Sequence, residues 1–374
     1  MSSGTTPHRS FYEGRTVLVT GHTGFKGSWL AMWLHMLGAK VIGFALPPEG
    51  GPLSMFEATG LGSRVKSIEA DVRNADAVAA CLREHSPEVV FHLAAQSLVR
   101  RSYADPITTF ATNVLGTAHV LEASLRTPSV RSVVVVTSDK CYDNTESGKA
   151  FSESDPLGGG DPYSASKACA ELVTAAYRSS FARDGGTAPG IASARAGNVI
   201  GGGDWCEDRL VPDVMRALRA GSPLILRNPD SVRPWQHVLE PLRGYLLLGE
   251  RLAGDRVEFG SSWNFGPRDD DAIPVRELVN RLAAAWPGKR LDVRIEPAAL
   301  HEAAVLRLDT TRARSHLGWK PALSIDEAVT LTVSWYRDIS ADRASADSIT
   351  LEQIAAYERL AAARSEPGLT AAVL

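Results

Sequence analysis

Short apolar runs alternate with longer helix-spaced patterns through the first half of the chain. Thr16–Thr20 (TVLVT) is a continuous apolar run of the kind buried on both faces of a parallel sheet. Phe25–Leu37 follows, with Trp29, Leu30, Trp33, Leu34 and Leu37 recurring at helical spacing. The same alternation predicts strands at Val41–Leu46, Val89–Leu93, Ser132–Thr137 and Ile191–Arg195, and helices at Ala75–Glu84, Ile107–Leu125 and Tyr163–Phe181. Strands separated by crossover helices predict an α/β fold, a Rossmann-type doubly wound parallel sheet with right-handed connections.

The texture changes after Gly197. A glycine run at Gly201–Gly203 leads into the polar, Trp-containing stretch Asp204–Arg209, then into shorter elements and loops such as Arg227–Gln236. One more sheet strand is expected to return at Ser262–Phe265, and amphipathic helices at Val275–Ala285 and Ile325–Tyr336. The expected division is a Rossmann domain over 14–197 with its last strand at about 262–265, a smaller α/β substrate-binding region over 198–340, and a helical tail over 341–374, Ala-rich with Pro367 near its end. The tail's role is not readable from its pattern.

Composition narrows the function classes. With 44% hydrophobic and 22% charged residues, the 374-residue chain has the profile of a globular protein with ample core. A formal net charge of -3 gives no whole-protein attraction to nucleic acid or to an anionic membrane. The four cysteines, Cys81, Cys141, Cys169 and Cys206, form no CxxC pair, which argues against a zinc site or a disulfide framework and fits a reducing compartment. The first fourteen residues are polar, and no stretch approaches 18 continuous apolar residues, so neither a signal peptide nor a membrane span is expected. The expected location is the cytoplasm, and no metal is expected.

Gly21-His-Thr-Gly24-Phe-Lys-Gly27 lies directly between the first strand and the first helix. Glycines there permit a tight turn and let helix N-terminal amides meet a pyrophosphate, so Gly21, Thr23, Gly24, Phe25, Lys26 and Gly27 are candidate dinucleotide contacts. The GxxGxxG spacing resembles the extended short-chain dehydrogenase/reductases. That resemblance implies that Asp71-Val72 approaches the adenine, and that Leu93, Ala94 and Ala95 run along the cofactor, with Gln96 turned to substrate. Asp71 has an alternative reading as the N-cap of Ala75–Glu84. The second strand ends Gly43-Phe-Ala-Leu-Pro-Pro48, without the acid that usually binds the ribose 2′-hydroxyl of NAD. No arginine for a 2′-phosphate stands there either, although Lys26 is close in sequence. NAD is the expected cofactor, with NADP left open.

Tyr163-Ser-Ala-Ser-Lys167 sets Tyr and Lys at i and i+4, neighbours on one helical face. An ammonium beside a phenol, near a nicotinamide cation, favours the phenolate, so Tyr163 is expected below its usual value near about 10 and able to take a sugar hydroxyl proton. Ser138, one strand–helix step earlier, is expected to bond the same hydroxyl, or else to cap a turn. Asp139 and Lys140 follow it at the end of a parallel strand, where such sheets place their ligands. Plain oxidation or epimerisation needs only the Ser–Tyr–Lys triad. Extra acid–base groups serve an elimination, in which oxidation at C4 acidifies C5–H and the C6 hydroxyl leaves as water.

The runs Thr20-Gly-His-Thr-Gly-Phe-Lys-Gly-Ser-Trp-Leu30, Thr137-Ser-Asp-Lys-Cys-Tyr142, Ala196-Gly-Asn-Val-Ile-Gly-Gly-Gly-Asp-Trp205 and Arg233-Pro-Trp-Gln-His-Val238 resemble the CDP-glucose branch of the hexose 4,6-dehydratases, over about residues 14–336. The dTDP-glucose branch carries Asp-Glu where this chain has Asp139-Lys140. The resemblance implies that Asp139 protonates the departing C6 hydroxyl, and that Lys140 removes the C5 proton or only positions a water or the enolate oxygen. It implies a nucleotide-diphosphate hexose substrate, CDP-glucose first, and a homodimer through Ile107–Leu125 and Tyr163–Phe181. Arginines suit a diphosphate. Arg195, Asn198, Arg209, Arg233 and Arg307 lie in or beside the candidate loops, with Asn198, Arg233 and Arg307 favoured by the resemblance. Arg100-Arg101 are further candidates, and Trp205 and Trp235 are candidates for stacking on a base or for ordinary packing. Two rival readings are a 4-epimerase, or a dehydratase of another nucleotide hexose, and a non-catalytic NAD(P)-binding sensor. The sensor reading fits poorly with an intact Tyr163–Lys167 pair.

Overall fold

The computed structural model describes residues 8–146, 148–182, 187–296 and 305–365. Seven strands, β1 (Thr16–Thr20), β2 (Lys40–Ala45), β3 (Lys66–Glu69), β4 (Val89–His92), β5 (Ser132–Val136), β6 (Gly190–Ala196) and β7 (Ser262–Phe265), form one sheet in the order β3-β2-β1-β4-β5-β6-β7. Every pairing is parallel. The order reverses between β1 and β4, which opens a crevice at the C-terminal strand ends where such sheets bind ligands. β1, β4 and β5 are buried almost throughout, as their apolar runs require.

The expected helix at Phe25–Leu37 spans Phe25–Met36 and buries Trp29, Leu30, Trp33 and Leu34. Fully burying side chains of this kind stabilises by about 1.5–3 kcal/mol each. The expected helix Ile107–Leu125 is interrupted: Pro106–Phe110 is α-helical, Ala111–Leu115 widens into a π turn, and Gly116–Leu125 resumes the α-helix. Such bulges inside helices gather at functional sites.

Two long helices depart from the expected run of shorter elements, Leu210–Ala220 and Leu239–Gly254. Pro241, Gly244 and Gly249 make the second read as broken. The proline sits in the first turn, where it is tolerated. The glycines let the helix lie flat against the sheet: a Cβ at Gly244 would collide with the Phe265 ring, and one at Gly249 would come 2.9 Å from Phe91. Inside the expected loop Arg227–Gln236, Val232–Pro234 pairs with Ala272–Pro274.

The tail's described part is a short turn at Arg343–Ser345 and a long helix, Ala346–Ser365, docked on the Rossmann side; residues 366–374, Pro367 among them, lie outside the described residues. Tyr357 is buried and its hydroxyl donates to Glu240 Oε2 at 2.7 Å. Trp33 Nε1 donates to Glu358 at 2.9 Å. No helix among the described residues is long and apolar enough to cross a membrane.

Candidate active site

β1 ends in the glycine turn. Gly21 takes φ +75°, and a Cβ there would lie 2.7 Å from Ala94 N, while one at Gly27 would strike the Gly21 carbonyl. Only glycine satisfies both positions. Gly24 is the exposed N-cap of the helix Phe25–Met36, with no side chain capping its first amides. Those open amides at the positive end of a 12-residue helix fit a pyrophosphate. Thr23 donates to Leu46 O at 2.8 Å, which holds the turn against the end of β2. Across the crevice, Thr20 Oγ1 accepts the amides of Leu93 and Ala94 and meets His92 Nδ1 at 2.7 Å.

Asp71 and Val72 follow β3. The Asp71 carboxylate accepts the Arg73 amide at 2.9 Å and Arg73 Nε at 2.8 Å, and this side-chain pairing holds it below the usual carboxylate range. It does not cap the next helix. Asn74 does, accepting the Ala77 amide at 3.1 Å.

The reacting groups come from two elements. The helix Pro162–Phe181 opens at Asp161, whose carboxylate caps it, and presents Tyr163 and Lys167. The turn Asp139–Cys141 closes β5, and Ser138 caps it by accepting the Lys140 amide at 3.2 Å. The capping role expected as an alternative for Ser138 is therefore real, and Ser138 also stands close enough to Tyr163 to influence its phenol. Burial pushes the Tyr163 phenol up to about 12, against the lowering influence of Ser138 and Arg209. That departs from the expected depression: within the protein alone, desolvation outweighs Ser138 and Arg209.

Lys167 Nζ donates to Val136 O at 3.2 Å, and burial lowers it to about 8 while Glu171 opposes. Asp139 is 3% exposed. Its Oδ1 accepts from Ser138 at 3.0 Å, and its Oδ2 is buried with no hydrogen-bond partner. Burial raises its carboxyl above the usual range, although Lys140, Ser138, Lys26 and Arg233 all pull the other way. Gly197 leaves room for that free oxygen, since a Cβ there would lie 2.5 Å from it. A carboxyl whose hold on a proton is strengthened by burial, with one oxygen unpartnered, is suited to proton donation. Lys140 is half-buried beside it.

A family model described as GDP-mannose 4,6 dehydratase matches residues 18–332. The chain belongs to that family, the sugar-nucleotide 4,6-dehydratases. A CDP-glucose 4,6-dehydratase of Salmonella typhimurium is 46% identical over 88% of this chain and 92% of its own length. A UDP-glucose 4-epimerase of Mycolicibacterium smegmatis is 32% identical over 86% and 99%. Among solved structures, DesIV, a dTDP-glucose 4,6-dehydratase of Streptomyces venezuelae with NAD and TYD bound, is 28% identical with a TM-score of 0.73, covering 89% of this chain and 99% of its own. A Thermus thermophilus UDP-glucose 4-epimerase in complex with NAD is 26% identical, with a TM-score of 0.74 over 86% and 99%.

The dehydratase chain distributes its other candidates unevenly. Lys26 lies beside Asp139, Lys167, Arg209 and Asp204, and burial lowers it to about 7. Arg209 donates to Asp204 Oδ2 at 3.0 Å and to Ser97 Oγ at 2.7 Å, and it stands close enough to Tyr163 to influence it. Arg233 is buried near Asp139. Asn198 precedes the strand Val199–Ile200, and Arg307 is exposed on the strand Arg307–Leu308.

Several expectations need correction. Arg195 does not reach toward a ligand, because it is buried in an ion pair with Glu171 at 2.7 Å behind the site. Gln96 spends its side chain in its own loop, donating to Leu98 O at 3.1 Å and Thr109 at 3.0 Å and accepting the Leu98 amide at 2.7 Å. For the tryptophans the packing alternative holds: Trp235 packs in the core and donates to Ile273 O at 3.2 Å, and Trp205 packs edge-on against Tyr336. Arg100 and Arg101 form ion pairs with Asp208 and Glu49.

Other buried polar positions beside the site escaped the sequence reading. Asn113, on the π turn, is 1% exposed, accepts the Gln96 amide at 2.9 Å and donates to Ser166 Oγ at 2.8 Å. A polar residue inside an apolar helical pattern was its only signal. Glu171 carried a clearer one, continuing the i, i+4 series from Tyr163 through Lys167. Among the described residues, no group of three or more His, Cys, Asp or Glu side chains could hold a metal.

Proposed function

We propose that this chain is an NAD-dependent CDP-glucose 4,6-dehydratase, a hydro-lyase that forms CDP-4-keto-6-deoxyglucose. The observation that carries the reading is Asp139: buried, its carboxyl raised, with one unpartnered oxygen, and bonded through the other to Ser138, which stands close enough to Tyr163 to influence it. An epimerase has no use for such an acid. The choice of cytidine is supported by the 46% identical Salmonella typhimurium relative.

The glycine turn, Asp71-Val72 and the Leu93–Ala95 backbone are the residues to hold a dinucleotide, and NAD is favoured by the NAD-bound neighbours. The chemistry that cofactor supplies when bound is reversible hydride exchange, taken from C4 and returned at C6. Ser138 orients the C4 hydroxyl and Tyr163 accepts its proton. Lys167, fixed on Val136 O, adds positive charge that favours the phenolate. With C4 a ketone, the C5 proton is acidic, and Lys140 is the group beside Asp139 that receives it or holds the enolate oxygen. Asp139 gives its proton to the C6 oxygen, which departs as water.

Asn198, Arg209, Arg233 and Arg307, within a substrate region over 198–340, make the diphosphate end. A homodimer is supported by large apolar side chains left exposed on the two helical segments expected to meet a second copy: Ile107, Leu115, Leu172 and Phe181. Light scattering checks it, and the mass of one chain would refute it. The function itself is tested by incubating the enzyme and NAD with CDP-, dTDP-, UDP- and GDP-hexoses and following loss of one water by mass spectrometry. CDP-glucose is expected to react fastest. Absence of water loss from all of them would overturn the dehydratase reading.

A further inference from the structure

Behind the catalytic lysine lies a buried ion pair with no direct part in the chemistry. Glu171, one helical turn beyond Lys167, accepts hydrogen bonds from Thr137 Oγ1, from Ser193 Oγ and Arg195 Nη2 at 2.7 Å each, and from Ser262 Oγ at 3.3 Å. These partners sit on or at the ends of β5, β6 and β7, so one carboxylate pins the helix Pro162–Phe181 to three strands. Thr137 is the residue before Ser138, and Lys167 holds the carbonyl of Val136. Two successive residues at the end of β5 are thus tied to two residues one turn apart on the helix.

Arg195 holds the other end of the catalytic turn. Its Nη1 donates to the Tyr142 hydroxyl at 2.7 Å, and its guanidinium lies 4.9 Å from the centre of that ring. Tyr142 directly follows Asp139–Cys141 and donates onward to Asn264 Oδ1 at 2.7 Å. The turn bearing Ser138, Asp139 and Lys140 is therefore gripped before its start by Glu171 and after its end by Arg195, and the two grips close on each other. The side chains of both are at most 3% exposed, so neither touches a ligand. Buried ion pairs are weak sources of stability compared with apolar packing. One contact to Thr137 just before the turn and one from Arg195 to Tyr142 just after it point to geometry as the reason for this one.

We propose that Glu171 and Arg195 are positioning residues that keep the Ser138–Lys140 turn in register with the Tyr163–Lys167 face, so that the oxidising and eliminating groups meet the same sugar. The proposal rests on the dehydratase reading. Its electrostatic side is supported by the opposition of Glu171 to burial at Lys167, where Cys141 also raises the ammonium and where Lys26 and His92 are the other titratable neighbours.

Two variants of the full chain test it. Thr137→Val removes the front grip with an isosteric side chain and leaves the ion pair in place. Glu171→Gln/Arg195→Met removes both charges together, so that no buried charge is stranded. The expected result is a kcat lower on the order of 100-fold with KM for the nucleotide hexose little changed, because small displacements at the reacting atoms cost that much. In the double variant, NMR of 13C-labelled lysine is expected to find the Lys167 midpoint below its value of about 8. A purely structural pair would lower melting temperature while leaving kcat and that midpoint where they were. Folded Thr137→Val with parental kcat, or a double variant with an unmoved midpoint, overturns the proposal. Should the parent release no water from any nucleotide hexose, the dehydratase reading fails instead, and the Lys167 titration still judges the electrostatic coupling.

Discussion

The reacting end and the nucleotide end of the crevice are built in opposite ways. Ser138, Asp139, Tyr163 and Lys167 are all buried, come from two elements, and are tied together through Val136, Thr137 and Ser138. The diphosphate candidates come from scattered short segments: Arg307 is exposed, Asn198 and Arg209 are half-buried, and Arg233 is buried. The difference follows protonation. Groups that must change charge state are tuned by desolvation, which raises Asp139 and Tyr163 and lowers Lys167. Arginine stays charged in any setting, so the anion-binding end needs reach more than burial.

That contrast can be broken at graded cost. Tyr163→Phe removes the proposed acceptor of the C4 hydroxyl proton and is expected to lower kcat by about 10²–10⁴-fold, with oxidation and water loss falling together. Gly197→Ala brings a methyl to 2.5 Å from Asp139 Oδ2. It is expected to slow elimination on the order of 100-fold through displacement of the acid, with nucleotide binding intact. Arg233→Ala and Arg307→Ala are expected to raise KM with little change in kcat, each costing about 1.5–3 kcal/mol as a lost charge-assisted contact. Isothermal titration with the nucleotide alone reads that cost directly.

The smallest effect tests the principle away from both ends. Glu240 is buried under the tail helix, accepts from the Ala322 amide at 2.8 Å and from Tyr357, and burial raises it to about 7. Folding therefore strengthens its hold on a proton. The stability it contributes is present below its ordinary value of 4.5 and is lost as pH rises through about 7. Glu240→Gln is expected to flatten the fall in melting temperature over that window while leaving kcat unchanged.

Legibility followed the same divide. The reacting end was readable because its parts occupy two contiguous runs, Thr137–Tyr142 and Tyr163–Lys167, whose spacing carries the geometry. The strand–turn–helix around Gly21–Gly27 was readable for the same reason. Arg195 misled because an arginine at a strand end looks alike whether it faces a phosphate or a buried Glu171 one element away. The helix Leu239–Gly254 was hidden by Gly244 and Gly249, which weaken helical propensity locally and are required by close approach to Phe265 and Phe91. Tertiary contact overrode local preference there. The tail was opaque because Tyr357 finds its partner, Glu240, 117 residues away.

The most direct test of the account is a single turnover of Asp139→Asn with NAD and CDP-glucose, following the absorbance of reduced nicotinamide and the product mass together. The account predicts that C4 oxidation proceeds, reduced nicotinamide accumulates on the enzyme, and no water is lost. Water loss at the parental rate would contradict it, because the buried carboxyl held beside Gly197 would then not be the acid.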